Sequence, residues 1–166
     1  MQNILVCHDG HKITSKGLLG YLKTISKDSN VVLFHVLEPI PPSLAEHGGT
    51  EEEAREHREK RRAWITNQTS MAKRAINPCM ENIRALPHIQ SSTLMIIPAY
   101  SVGDFEPLLE EEVRDGEYDE VLIIHHSDSW IKNILHETWS DKAKRHIAGV
   151  RLRIIRCSEK EGFCEI

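Results

Sequence analysis

Histidines and aspartates follow two apolar segments that are predicted to be buried strands. The residues are His8, Asp9, His11, His125, His126 and Asp128. Imidazole nitrogens and carboxylate oxygens are ligands for zinc or nickel. If the two strands are neighbours in one sheet, their carboxyl ends meet at the edge where open α/β sheets bind ligands. The chain therefore offers a hypothetical metal site, formed by His8, His11, His125 and His126.

Strand geometry and composition leave other interpretations of these histidines open. Adjacent residues of a strand point to opposite faces, so His125 and His126 reach one ion only if the strand has already ended. The chain contains 10 histidines, so some clustering is expected. The favoured interpretation is a set of solvated or hydrogen-bonded loop histidines. The alternatives are a bound metal ion, and a nucleotide or small anion held by imidazoles.

Motifs of covalent and phosphoryl-transfer catalysis are missing from the sequence. It has no GxSxG elbow, no Cys-His pair at a helix start, no GxxxxGK[ST] and no GxGxxG. The acidic run Glu110–Glu112 lies on a predicted helix, where a solvated face explains it. We therefore expect no enzymatic activity beyond slow ATP hydrolysis at most.

The composition indicates one globular domain. With 166 residues, of which 40% are hydrophobic and 28% charged, the chain is long enough to bury a core. The formal charge of −4 gives no reason to expect a nucleic-acid partner. No apolar run is long enough to span a bilayer, and the first residues do not resemble a signal peptide. Four cysteines without metal-site spacing are typical of a reduced, cytoplasmic protein.

Strand and helix patterns alternate along the chain. The predicted strands are Asn3–Cys7, Val31–Leu37, Thr93–Ala99, Glu120–His125 and Val150–Cys157. Three of them are nearly continuous apolar runs, which are typical of parallel strands buried on both faces. Helical periodicity fills each gap, so the pattern predicts a doubly wound α/β sheet with helices on both faces. The predicted domain covers 1–157, and a polar, loose tail covers 158–166.

Caps and breakers set the predicted helix boundaries. Thr14 or Ser15 is expected to cap the first helix, and Thr50 opens the second with the capping box TEEE. Pro78 is predicted to end or kink that helix. The third helix is predicted to follow Asp104, and the segment SWIKNILHETWSDKAKRHI is predicted to form the fourth.

Five segments, in order and at suitable distances, resemble motifs of the universal stress proteins. They are ILVCHDGHKITSKGLLGYL, LFHVLEPIPP, VGDFEPLLEE, YDEVLII and IKNILHETWSDKAKRHI. The resemblance covers nearly the whole chain. It implies a Rossmann-like, five-stranded parallel sheet in the order 3-2-1-4-5, in which strands 1 and 4 are adjacent.

The same resemblance directs attention to the loop after the fourth strand. In family members that bind ATP this loop carries Gly-x-x-Gly, nine residues, and then Gly-Ser or Gly-Thr. The glycine positions correspond here to Ile124, Ser127 and Glu137. Glycine allows positive φ and lets backbone N–H groups approach phosphate closely. Ile124 is β-branched and therefore disfavours positive φ. A carboxylate at Glu137 would also repel the triphosphate, by roughly 4 kcal/mol per pair of unit charges ~4 Å apart near a protein surface.

The nucleotide-site positions that the resemblance implies are Asp9, Val36, Ser127 and Thr138. Because all three glycines are replaced, we expect no conventional ATP binding and no cofactor. The favoured hypothesis is a universal stress-type binding module that is cytoplasmic, non-enzymatic and active in a stress response. One alternative is an adenine-nucleotide-binding member with a rebuilt phosphate loop that takes ATP or AMP. The other is a metal-binding sensor that uses the crevice histidines.

Partner predictions follow from the edge of the sheet. The family resemblance implies a homodimer through the edge strand Val150–Cys157. Arg151 and Arg153 are a departure, because the family strand is usually more apolar and edge charges discourage pairing. We expect neither nucleic acid nor a membrane as a partner.

Overall fold

A central β-sheet with helices on both faces forms the body of the computed structural model, which describes residues 1–44, 49–129, 131, 146–147, 149–159 and 162–165. The strands are β1 (Gln2–His8), β2 (Ser29–Val36), β3 (Ile89–Ile97), β4 (Glu120–His126), β5 (His146–Ile147), β6 (Val150–Ser158) and β7 (Gly162–Glu165). The helices are α1 (Lys12–Leu22), α2 (Glu51–Arg84) and α3 (Phe105–Asp115), with short 3-10 turns at Pro42–Leu44 and Val102–Asp104.

The five long strands are parallel and lie in the order β3-β2-β1-β4-β6. This confirms the predicted order 3-2-1-4-5, with β6 in the place of the fifth strand. Two apolar layers sandwich the sheet. Leu5, Phe34 and Ile123 pack on the side that carries α3, while Ile4, Leu33 and Leu122 pack on the side that carries α1 and α2. The alternation along each strand is the reason that both faces are buried.

The predicted cap of the first helix is wrong, and so is an end of the second helix at Pro78, while the alternative of a kink at Pro78 stays a prediction. The N-cap of α1 is His11, whose side chain accepts a hydrogen bond from the N–H of Ile13, and not Thr14 or Ser15. Helix α2 continues through Pro78 to Arg84. Its residues Ile76, Cys79, Met80 and Ile83 are buried against the sheet, and this packing offsets the hydrogen bond that proline removes.

The other helix predictions have different outcomes. The capping box at Thr50 is confirmed, because Thr50 and Glu53 exchange side-chain-to-backbone hydrogen bonds. Helix α3 begins directly after Asp104, as predicted. The predicted fourth helix lies almost entirely outside the described residues. Ile131 is helical, but the predicted end of that helix is wrong, because His146 and Ile147 form β5 and pair with β6.

The carboxyl-terminal residues extend the sheet instead of forming a loose tail. Strand β7 pairs antiparallel with β6 from Ile155 to Ser158. The short β5 pairs antiparallel with Val150 and Arg151 at the other end of β6. Both additions lie on the outer side of β6, the strand through which a homodimer is predicted, and that homodimer stays a prediction. None of the described helices has the length and apolar character needed to cross a membrane.

Candidate functional site

The candidate site lies where the carboxyl ends of β1 and β4 meet. His8 pairs with Ile124 in the parallel ladder, so the segments after both strands emerge side by side. The carboxylate of Asp9 joins them. Its Oδ1 accepts the N–H of His11 at 2.9 Å, and its Oδ2 accepts the N–H of His126. One side chain of the first loop therefore fixes the end of a strand that follows more than one hundred residues later.

The turn after β1 depends on glycine. Gly10 has φ +82°, and a Cβ added there would lie 3.2 Å from Cε1 of His35. Both the left-handed backbone and the nearby imidazole therefore favour a residue without a side chain. The Asp-Gly pair of the sequence thus forms a tight turn that lies over the end of β2.

His8 is buried beneath this turn and has defined partners. Its Nδ1 accepts the N–H of Gly10 at 2.8 Å, so in the neutral ring Nε2 carries the hydrogen. Nε2 lies 3.1 Å from Oγ of Ser15 and donates to it. Burial, opposed by the charge of Asp9, lowers the pKa of His8 to about 4. His8 is therefore a neutral hydrogen-bonded residue near pH 7.

His35 closes the floor of the site. Its Nδ1 donates to the carbonyl oxygen of His8, which orients the ring across the ends of β1 and β2. Burial lowers the pKa of His35, although the bond to His8 and the charge of Asp9 oppose this shift. The floor of the site is accordingly made of two uncharged imidazoles.

His11 and His126 form the upper layer. Their rings stack with centroids 4.3 Å apart and planes inclined by 16°. Nδ1 of His11 accepts the N–H of Ile13, and Nδ1 of His126 accepts the N–H of Asp128 at 3.3 Å. The stack borders an open cleft of about 570 Å³. Its lining is His11, Ile13, His126, Ser127, Asp128, Ser158 and Glu159.

The four histidines proposed as metal ligands do not converge on one point. His8 turns towards Ser15, and Nδ1 of His125 lies 2.9 Å from the carbonyl oxygen of His126. His11 and His126 meet face to face. In the described part of the chain, no group of three or more His, Cys, Asp or Glu residues is placed to hold a metal ion. The metal site stays a prediction.

The positions at which the family resemblance places a nucleotide site lie partly in buried strands and partly in the turn after β4. Ile124 lies inside β4, fully buried, and pairs with both His8 and Ile155, so its backbone belongs to the sheet. The chain turns only at Ser127 and Asp128. Val36 ends β2 with its side chain buried in the core. Glu137 and Thr138 lie outside the described residues.

Sequence reasoning missed a second polar cluster at the opposite, amino-terminal edge of the sheet. Glu120, at the start of β4, is only 3% exposed. Its carboxylate accepts from Oη of Tyr21 at 2.6 Å and from Nε2 of Gln2 at 3.0 Å, and it pairs with Nε of Arg153 at 3.1 Å. An acidic residue that opens an otherwise apolar strand was the available signal. Ser15 was also missed as the partner of His8, because nothing in the sequence couples them.

Comparisons with known proteins identify the fold. No protein-family model and no curated protein sequence matches the chain. Hypothetical protein MJ0577, a solved structure used for structure-based assignment of biochemical function, is 14% identical with a TM-score of 0.56, over 95% of this chain and 97% of that chain. A universal stress protein family protein from Arabidopsis thaliana, solved with AMP bound, is 14% identical with a TM-score of 0.50, over 97% of this chain and 95% of that chain. The chain shares the fold of both.

Proposed function

We propose that this chain is a universal stress-type protein that acts as a non-enzymatic, regulatory binding module in a stress response, without conventional ATP binding. The shared fold with an AMP-bound member of that family supports the first part. One observation carries the second part. The Asp9 carboxylate, at the junction of β1 and β4, already accepts the backbone N–H groups of His11 and His126.

Those two bonds compete with a nucleotide for the same carboxylate. The family resemblance implies that the counterpart of Asp9 contacts the sugar of the nucleotide. Here both oxygens of Asp9 hold the protein's own loops together, and the stacked rings of His11 and His126 lie beside it. A sugar bound at this place would have to share acceptors that the fold already uses.

The charge of the cleft also disfavours a polyphosphate. Its described lining contains the acids Asp128 and Glu159 and no lysine or arginine. Phosphate sites normally combine backbone N–H groups with cations or a helix N-terminus. The amino end of α1 reaches this cleft, but Nδ1 of His11 already accepts the N–H of Ile13. At Ile124, where the family resemblance places the first glycine, the backbone stays in the sheet and is not available for such contacts.

The non-enzymatic part of the proposal draws support from the pairing of His8 with Ser15. A base that activates a serine must present an unprotonated nitrogen to Oγ. The Gly10 N–H occupies Nδ1 of His8, so the nitrogen facing Ser15 is the protonated one. The pair therefore acts as a structural hydrogen bond and does not create a nucleophile.

Isothermal titration of the purified chain with ATP, ADP and AMP tests this proposal. We expect no saturable heat at ligand concentrations up to about 1 mM, which corresponds to a binding free energy weaker than about −4 kcal/mol. Micromolar binding of any of the three nucleotides would overturn the proposed absence of an ATP site. The universal stress-type fold would survive that result.

A nucleotide-binding protein with a rebuilt phosphate loop is the second candidate function. The cleft at the end of β1 and β4 favours it, because this is the usual ligand position of open α/β sheets. Adenine nucleotide released on denaturation of the purified protein would support it. Asp9→Asn should then weaken AMP binding more than tenfold, whereas Glu110→Gln on the exposed face of α3 should leave it unchanged.

A metal-binding sensor remains the third candidate, since His11 and His126 adjoin one cleft. Elemental analysis that finds stoichiometric zinc or nickel, together with a thermal shift that requires His126, would support it. Cytoplasmic location and homodimer formation belong to the main proposal, as does the expectation that nucleic acid and membranes are not partners. Fluorescence microscopy of a tagged chain tests the location.

A further inference from the structure

The two outer edges of the sheet are protected to different degrees. Strand β6 has β5 along one end of its outer side and β7 along the other. Strand β3, at the opposite edge, pairs with β2, and no other strand of the described chain pairs with it. An unpaired strand edge exposes backbone donors and acceptors that another strand can bind.

The sequence of β3 lacks the usual protection of an edge strand. Its residues, IQSSTLMII, include no charge, no glycine and no proline. The register shift against β2 falls near Gln90, at the amino end of the strand. From Leu94 to Ile97 the strand is regular and its apolar side chains are only partly buried. The carboxyl half of β3 is therefore the part of the edge that is open to pairing.

The hydrogen bonds to β2 show which residues of β3 face outward. The N–H of Leu37 donates to the carbonyl of Ile97, so Ile97 turns its backbone groups towards β2. The direction of the backbone N–H and C=O groups alternates from residue to residue along a strand. The backbone groups of Leu94 and Ile96 therefore point away from β2, to the open side. The carbonyl of Ser92, also outward by this alternation, accepts from Nη2 of Arg84 at 3.4 Å.

We propose that two copies of this chain associate by antiparallel pairing of β3 with β3 about a two-fold axis at Met95. In this register Leu94 of one copy lies opposite Ile96 of the other, and each such pair exchanges two backbone hydrogen bonds. Ser92 then faces Pro98, which has no N–H to donate. The Ser92 carbonyl oxygen has another donor, because it already accepts a hydrogen bond from Nη2 of Arg84. The edge is thus complementary to itself in this register.

Three exposed apolar side chains lie on elements next to β3. Of the described large apolar residues, Met1, Met71, Tyr100 and Val102 are more than half exposed. Met71 lies on α2, which packs on β3, and Tyr100 and Val102 lie in the segment that follows β3. Single exposed apolar residues are common on protein surfaces, so the proposal rests on the backbone edge of β3 and not on these side chains. The inference rests only on the homodimer part of the proposed function, and it places the dimer edge at β3 instead of β6.

Cysteine cross-linking of the full chain tests this register, in a Cys164→Ser background. The two-fold axis places residue 95 directly opposite its copy, about 4.5 Å apart between Cα atoms, which suits a disulfide. Met95→Cys should therefore form a disulfide-linked dimer on mild oxidation, in most of the protein. Thr93→Cys is the matched control. Its side chain shares the face of Met95, but the two copies of residue 93 lie about four residues apart along the paired strands, which is too far for a disulfide.

Sedimentation equilibrium gives the second readout. The unmodified chain should be dimeric, and Ile96→Lys, which adds a charge to the edge, should raise the dimer dissociation constant at least tenfold while the circular dichroism spectrum stays unchanged. A chain that is monomeric at about 100 µM would overturn the proposal. So would equal cross-linking of the two cysteine variants, or a dimer that Ile96→Lys leaves intact, which would point to β6 instead.

Discussion

The two ends of the β1–β4 pair carry carboxylates that stabilise the fold in different ways. At the amino-terminal edge, Glu120 is enclosed and binds the side chains of Tyr21, Gln2 and Arg153. At the carboxyl-terminal edge, Asp9 is partly exposed and binds backbone N–H groups beside neutral imidazoles. Both ends border an open cleft, of about 590 Å³ at the amino-terminal edge and about 570 Å³ at the carboxyl-terminal edge, so the difference lies in how each carboxylate is bound. Because Glu120 is enclosed and compensates Arg153, we expect its loss to cost more stability than the loss of the partly exposed Asp9.

The largest expected effect is at Glu120. Glu120→Gln removes the charge that compensates Arg153 in a buried setting, and we expect it to lower the free energy of unfolding by about 3 kcal/mol. Urea denaturation measures this. Glu110→Gln, on the exposed side of α3, should change the free energy by less than about 0.5 kcal/mol. Equal stability of the two variants would contradict the stabilising role given to Glu120.

The next effect is a pH dependence that arises from His8 at the carboxyl edge. Burial lowers the pKa of His8 from 6.5 to about 4, so between these values the unfolded chain binds more protons than the native one. The contribution of His8 to the free energy of unfolding should therefore be fully present above pH 6.5. It should be lost as the pH drops to about 4, by up to about 1.4 kcal/mol per pH unit. Urea denaturation at several pH values measures the slope. His8→Gln should reduce the slope, and the part that remains is expected from His35, whose pKa burial also lowers. An unchanged slope would rule out His8 as a source.

A smaller effect is expected at Asp9. Asp9→Ala removes the acceptor for two backbone N–H groups and should lower the free energy of unfolding by about 2 kcal/mol. Asp128→Ala is the matched control, since its carboxylate lines the same cleft but is exposed. Amide exchange provides a site-specific check. The amides of His11 and His126 should exchange faster in the Asp9 variant, and unaltered protection would contradict the role given to this carboxylate.

The smallest effect concerns the turn itself. Gly10→Ala places a Cβ at positive φ and 3.2 Å from His35, and should destabilise the chain by about 1 kcal/mol. Gly103→Ala is the control, because a Cβ there meets nothing within 4 Å and the φ is not in the left-handed range. Thermal unfolding compares the two variants. If both behave alike, the turn after β1 tolerates a side chain and is not restrained by His35.

Much of the fold was predictable because parallel strands buried on both faces must be nearly continuous apolar runs. This condition holds for β1 and β4 and identified them directly. Strand β3 begins at Ile89, four residues before its prediction, since the polar stretch Gln90–Thr93 has no strand pattern of its own and is held by pairing with β2. Strand β7 was missed for the same reason, because pairing with β6 determines it.

The candidate site was predictable in position but not in geometry. The sequence places His8, Asp9 and His126 at strand ends, and the strand order brings those ends together. It does not state which ring nitrogen faces which partner. That depends on bonds such as the one from the N–H of His126 to Asp9, which joins residues 117 positions apart.

The sequence by itself determined the strand-helix alternation, the buried strands and the end of the sheet at which the histidines lie, because those features follow from local apolar periodicity. Only the tertiary structure decided that the Asp9 carboxylate binds backbone, that His8 is neutral and that β3 is left with an open edge. Each of these depends on hydrogen bonds and burial between segments far apart in the chain, and local sequence patterns carry no information about such pairings.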